Sequence, residues 1–70
     1  MTIELIIAKH GGEIGGGINW TWARFADDMI GKKCFEECLK VFPDMDHRGY
    51  YEANPDACNP NLHRGGFRYR

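Results

Sequence analysis

Apolar and polar residues alternate in two segments near the start of the chain. The first, residues 2–8, is rich in β-branched side chains and too short for a good helix, so it predicts a strand over about residues 2–9. The second, residues 18–23, alternates large apolar with small or polar side chains, which predicts a half-buried strand over about residues 14–24. Gly-Gly at residues 11–12 is typical of the hairpin turn that would join them.

The predicted turn fixes which residues of the two strands face each other. A two-residue turn at residues 11–12 pairs Ile18 with Leu5 and Trp20 with Ile3, which places all four apolar side chains on one face. This agreement favours the hairpin and makes Trp20 a central core residue. The glycine run at residues 15–17 is then expected to form a bulge or a flexible stretch.

A later apolar stripe predicts an amphipathic helix over about residues 28–42. Asp27 or Asp28 is the expected N-cap, and Pro43 ends the helix. A stripe that starts at Asn19 is out of phase with this one, so two shorter helices that meet at Gly31 remain an alternative. The apolar positions of the stripe are Cys34, Phe35, Cys38, Leu39 and Phe42.

The rest of the chain is dominated by turn-forming residues. Residues 43–65 predict an irregular region, and the alternating aromatic and basic residues at 66–70 suit a short third strand. The prediction is therefore one small α+β domain that spans residues 1–70. It consists of an N-terminal hairpin, one amphipathic helix and an irregular C-terminal region.

Length and composition restrict the function. A chain of 70 residues, 43% of them hydrophobic, suits one folded domain without a deep enclosed active site, and no apolar run is long enough to span a bilayer. The acidic residue Glu4 stands where a secretory signal would be basic, and three cysteines cannot all pair within one chain. A cytoplasmic location is expected.

Charge is distributed unevenly along the chain. Residues 1–60 carry six Lys or Arg against ten Asp or Glu, whereas residues 61–70 carry Arg64, Arg68 and Arg70 without an acid. The body is therefore acidic and the C-terminal segment basic, although the net charge is only −1. Such a basic segment suits contact with phosphates or with an acidic protein surface.

Cysteine and histidine form the sharpest candidate for a chemical site. Thiolate and imidazole bind zinc, but the spacing of these residues matches no familiar zinc module. Cys34 and Cys38 are expected to be small core residues of the helix, so we expect neither a metal nor another cofactor. The chain contains no serine and shows no catalytic arrangement, which indicates a protein that is not an enzyme. The candidate ligands would be Cys34, Cys38, His47, Cys58 and His63.

Aromatic residues and arginines form the candidate contact surface, because both are frequent in binding hot spots. They predict a protein-binding module that acts as an inhibitor or adaptor, as many phage-borne and mobile-element proteins of this size do. A nucleic-acid binder that uses the Arg/aromatic tail and a zinc-stabilised module are the alternatives. A homodimer through the hairpin edge or the aromatic face is compatible with each. The candidate contact residues are Trp22, Tyr50, Tyr51, Arg64, Phe67, Arg68, Tyr69 and Arg70.

Overall fold

Two helices and one four-stranded antiparallel sheet make up the fold in the computed structural model, which describes residues 1–16, 18–52 and 65–70. The α+β class predicted from the sequence is confirmed. The strands are ordered β1-β2-β4-β3 in the sheet. The elements are α1 (Ile3–Lys9), β1 (Glu13–Gly16), β2 (Thr21–Phe25), α2 (Asp28–Val41), β3 (His47–Glu52) and β4 (Gly65–Tyr69).

The first element is a helix, where the sequence predicted a strand over residues 2–9. Thr2 is its N-cap, since its hydroxyl accepts a hydrogen bond from the Leu5 N–H at 3.2 Å. Ile6 and Ile7 are fully buried, whereas Leu5 is exposed. These apolar residues therefore follow the helical period and not the strand period.

The glycine pair at residues 11–12 ends this helix and does not form a hairpin turn. Gly11 has a φ of +75° and donates to the carbonyl of Ala8 at 3.0 Å, while Gly12 donates to the carbonyl of Ile7 at 2.9 Å. This pair of bonds is the Schellman motif, which satisfies the last carbonyls of a helix and favours glycine in the left-handed conformation. The strand prediction was wrong because Gly-Gly serves both motifs.

The hairpin lies further along the chain than predicted. The segment predicted as one strand, residues 14–24, contains parts of both β1 and β2, which pair with Glu13 opposite Arg24 and Gly16 opposite Thr21. The predicted pairs of Ile18 with Leu5 and of Trp20 with Ile3 do not form, because Ile3 and Leu5 belong to α1.

Helix α2 starts and ends within one residue of the bounds expected from the sequence. The Asp27 carboxylate caps it by accepting from the Ile30 N–H at 2.8 Å, and Pro43 follows the C-cap residue Phe42. Gly31 lies inside the helix and does not divide it. It is buried where α2 approaches Phe25, so a side chain there would collide with the sheet.

The region predicted as irregular, residues 43–65, contains strand β3. Its pairing with β4 shifts register between His47 and Tyr50, and Gly49 within this irregularity has a φ of +79°. Strand β4 takes the position of the expected third strand, but it lies in the interior of the sheet, between β2 and β3.

The core lies between the helices and one face of the sheet. Phe67 of β4 is at its centre, with ring centroids 5.0 Å from Phe35 and 6.1 Å from Phe25. No helix in the described part of the chain is long and apolar enough to cross a membrane. The buried apolar residues are Ile6, Ile7, Ala23, Phe25, Cys34, Cys38, Phe67 and Tyr69.

Candidate functional site

Side chains on the sheet face opposite the core form the candidate functional site, which we call the outer face. Both helices pack against the opposite, core-facing side of the sheet. In the described part of the chain, neither helix packs over the outer face. Successive residues of a strand point to opposite faces of the sheet. The paired residues Ala23 and Phe67 are buried and point toward the helices, so the residues next to them in each strand point to the outer face. The outer face carries Trp20, Trp22, Arg24, Arg48, Tyr51, Arg68 and Arg70, together with the acids Glu13 and Asp46.

The two indole rings lie in the middle of this face. Trp22 in β2 is directly opposite Arg68 in β4, and the same antiparallel register places Trp20 beside Arg70. On the other side of β2, the Trp22 ring packs directly on Gly15, where a Cβ atom would overlap the ring. The Trp22 ring therefore packs against the Gly15 backbone, and its position depends on Gly15 having no side chain.

Arginine side chains cover both indoles. The Arg24 guanidinium carbon lies 4.0 Å from the centroid of the Trp22 ring, and those of Arg70 and Arg48 lie 4.2 Å and 5.1 Å from Trp20. Each such cation–π contact contributes ~0.5–1 kcal/mol at exposed sites. These contacts place the two rings and three of the arginine charges side by side on the outer face.

The outer face is positively charged although the protein as a whole is not. Arg24 approaches Glu13 at 4.0 Å and Arg70 approaches Asp46 at 3.7 Å, which leaves two more arginines than acids on this face. Arg48 and Arg68 have no acidic partner among the residues that the structure describes. All four lysines of the chain lie in the helices.

Four of the residues predicted from the sequence to contact a partner come together on the outer face. Trp22 and Arg68 face each other, Arg70 extends the same row, and Tyr51 lies opposite Gly66 with 43% of its surface exposed. Arg64 lies outside the described residues. The tail and the aromatic residues, predicted separately, thus contribute to a single surface.

Three other predicted contact residues face the core, which corrects their assignment. Phe67 and Tyr69 are buried, because odd-numbered positions of β4 point toward the helices. Tyr50 is half-buried on the same side, and its hydroxyl donates to the carbonyl oxygen of Asp28 at 3.3 Å or to its carboxylate at 3.1 Å. Burial, then the hydrogen bond to Asp28, raises the pKa of Tyr50 above its usual range.

Trp20, Arg24 and Arg48 also lie on the outer face and were not among the candidate contact residues predicted from the sequence. The signal was present for two of them, since Trp20, Trp22 and Arg24 follow one another at the period-2 spacing of one strand face. The sequence interpretation assigned Trp20 to the core. The space beneath the helices instead accepts the other side of β2, which offers the small Ala23 together with Phe25.

The candidate metal ligands are not brought together within the described residues, which contain no group of three or more metal-binding side chains. Cys34 and Cys38 are fully buried in α2, and burial raises the pKa of both thiols. His47 stacks edge-on against Phe35 at 5.1 Å and accepts the Gly49 N–H through Nδ1 at 2.9 Å. The remaining candidates, Cys58 and His63, lie outside the described residues.

The other group of ionisable side chains joins the two helices. Lys9 Nζ lies 3.2 Å from each oxygen of the Glu37 carboxylate, and His10 Nε2 lies 3.2 Å from one of them. The hydrogen bond to His10 and then that to Lys9 lower the pKa of Glu37. This cluster has a structural role, because it connects the C-terminal end of α1 to the middle of α2.

Comparison with known proteins gives no match: no protein family, no curated protein and no solved structure is similar to this chain.

Proposed function

We propose that this protein is a non-enzymatic binding module that acts by occupying a macromolecular partner through the outer face, as an inhibitor or an adaptor would. The observation that carries the proposal is the close association of two tryptophans with arginines on a sheet face that no described helix covers.

Preorganisation makes these side chains suitable for binding. Binding normally costs free energy because flexible side chains must be ordered. Here Trp22 already lies on Gly15 beside Arg24, and the Arg70 guanidinium carbon lies 4.2 Å from the Trp20 ring centroid. Tryptophan, tyrosine and arginine also dominate measured binding hot spots, because they bury large areas and keep polar or charged groups for specific contacts.

The helical side of the molecule lacks a comparable surface in the described chain. Its most exposed apolar residues are Met1 before α1, Leu5 in α1, and Met29 and Val41 at opposite ends of α2. Twelve residues of helix correspond to about 18 Å, so the last two do not form one patch. Scattered apolar residues of this kind are usual on monomeric proteins.

Arginine excess on the outer face favours an anionic partner. The sequence placed a protein partner first, and an acidic protein surface would satisfy the charge. Negative charge is the first property expected of the partner. The indole rings of the outer face add a second, because they favour a partner that presents flat π systems or apolar groups beside its negative charges. We infer that both properties belong to the same partner and that the encounter takes place in the cytoplasm.

Site-specific photocrosslinking tests this proposal. A benzophenone amino acid replaces exposed Tyr51 on the outer face or, as the control, exposed Lys33 on α2, and the protein is irradiated in the cells that naturally carry it. We expect discrete adducts from position 51 that disappear when Trp22→Ala is added, and none from position 33. Equal adducts from both positions, adducts that persist without Trp22, or no adducts at all would contradict the proposal.

A further inference from the structure

We propose that the partner is a single-stranded nucleic acid, whose bases replace the guanidinium groups that cover Trp20 and Trp22 while the arginines beside the rings hold its phosphates. This inference rests on the proposed function, in that it takes the outer face as the contact surface. It goes further by assigning the chemistry of the occupant.

The spacing of the two indoles carries the first step. Trp22 lies in β2 and Trp20 directly precedes that strand, so extended backbone would separate their Cα atoms by about 6.6 Å. This separation is about twice the ~3.4 Å rise of stacked bases. Successive bases placed at the two indoles at this separation would not stack on each other, which a single strand permits and a duplex does not.

The position of the arginines carries the second step. Arg68 lies one strand away from Trp22, and Arg70 lies one strand away from Trp20, so each ring has a cation at its side. A single strand likewise carries one phosphate for each base, on the backbone beside that base. Guanidinium groups donate paired hydrogen bonds to phosphate oxygens, and their planes also stack on bases.

Arg48 supplies a further cation at the same end of the sheet. Its guanidinium lies 5.1 Å from the Trp20 ring, so Trp20 has arginines from both β3 and the end of β4 around it. Two cations around one ring repel each other, and only Arg70 has a described acid, Asp46, at 3.7 Å. A phosphate bound between the two guanidinium groups would relieve that repulsion.

Neither a duplex nor an acidic protein accounts for the whole arrangement. In a duplex the flat faces of the bases are covered by their neighbours, so the indoles would remain without a stacking partner. An acidic protein surface would pair with the arginines but offers no regular succession of flat rings at the indole spacing. A single strand provides one flat base and one negative phosphate in every nucleotide.

Intrinsic fluorescence gives a direct test, because the only two tryptophans of the chain are those of the outer face. The full chain is titrated with U and dT oligonucleotides of about ten residues, with a duplex of equal length and with polyglutamate. We expect saturable quenching by the single strands and at least tenfold weaker binding of the duplex and of polyglutamate. Quenching by either single strand supports the proposal.

Matched variants separate stacking from charge. Trp22→Ala is expected to weaken single-strand binding by about 5- to 150-fold, the range for loss of one base–aromatic stack. Arg68→Gln should lower the slope of log K against log salt by about 0.7, which corresponds to one phosphate contact in a single strand. Lys33→Gln makes the same change of charge on α2 and should alter neither quantity. Circular dichroism confirms that each variant is folded.

Some results would overturn this inference and leave the binding module standing. They are an absence of quenching at about 50 mM salt, equal affinity for duplex or polyglutamate, or an unchanged affinity in folded Trp22→Ala. Crosslinked adducts from position 51 that resist nuclease and are degraded by protease would have the same effect and would identify a protein partner. If position 51 yields no adducts either, the proposed function fails as well.

Discussion

Gly15 determines where the Trp22 ring lies on the outer face, because the ring occupies the space that a side chain at residue 15 would take. Alanine there would place a Cβ atom within the Trp22 ring, so the ring must lift away from the sheet and leave Arg24. We predict that Gly15→Ala shifts Trp22 emission to longer wavelength and weakens binding, when measured with Trp20→Phe to isolate the signal. Gly16→Ala is the control, because no atom lies within 4 Å of a Cβ at that position.

Tyr50 and Tyr51 are adjacent in sequence but have different roles. The Tyr50 hydroxyl hydrogen-bonds Asp28 on the core side, whereas Tyr51 points from the outer face. Tyr50→Phe should lower the free energy of unfolding by ~0.5–1.5 kcal/mol, the net contribution of one such hydrogen bond. Tyr51→Phe should change it by less than ~0.5 kcal/mol. Equal losses in chemical denaturation would contradict this division.

Contact residues could be predicted from the sequence only as far as composition and alternation allow. Composition identified Trp22, Arg68 and Arg70, whose types are frequent in binding surfaces. It could not show which side of each strand faces the helices. In the folded protein Ala23 and Phe25 are the β2 residues buried beneath the helices, and Trp22 and Arg24 lie on the other side.

Helix α1 depends on its terminal glycine. Gly11 has a φ of +75°, and no atom lies within 4 Å of the position that a Cβ would take, so the cost of a side chain there comes from the backbone alone. We predict that Gly11→Ala lowers the free energy of unfolding by ~1–2 kcal/mol, the cost of the left-handed conformation for an L-residue. Gly16→Ala is the matched control in chemical denaturation, and an equal loss there would remove the special role of Gly11.

The contact between α1 and α2 should depend on pH through Glu37. Its pKa is lowered in the folded protein, chiefly by the hydrogen bond to His10 and then by that to Lys9. The carboxylate therefore adds stability above its unfolded pKa of about 4.3, and this is lost as pH falls through the lower folded value. Glu37→Gln should reduce the loss of stability in acid, measured by denaturation from pH 7 to pH 3, whereas Glu36→Gln should not.

Secondary structure could be predicted from the sequence only where the local signals were compatible with a single kind of element. Helix α2 was recognised because Asp27, the apolar stripe and Pro43 all indicate the same element. Helix α1 was not, because a β-branched segment followed by Gly-Gly suits a hairpin as well as a helix with a Schellman end. The capping signal was Thr2 before an apolar i, i+3, i+4 pattern.

The whole molecule separates its two kinds of basic residue. All described arginines lie on the outer face, and all lysines lie in the helices near acids, as Lys32 does beside Glu52. We predict that the protein binds a heparin column at pH 7 despite a net charge of −1. Arg68→Gln should elute at lower salt, and Lys33→Gln should elute with the unchanged protein.

The location of the outer face could not be predicted from the sequence, because it depends on the order of the strands in the sheet. Tyr51 and Arg68 are distant in sequence and become neighbours only when β4 inserts between β2 and β3. Local patterns contain no information on that insertion. The sequence therefore indicated the types of contact residue and not the surface that they form.

The interior position of β4 has a consequence for biosynthesis. Every other described element precedes it in the chain, yet β2 and β3 are hydrogen-bonded into one sheet only through it. The complete sheet can therefore form only after the ribosome has made this segment and residue 69 has emerged. Shortening the chain before β4 would therefore abolish folding and not merely remove a few arginines.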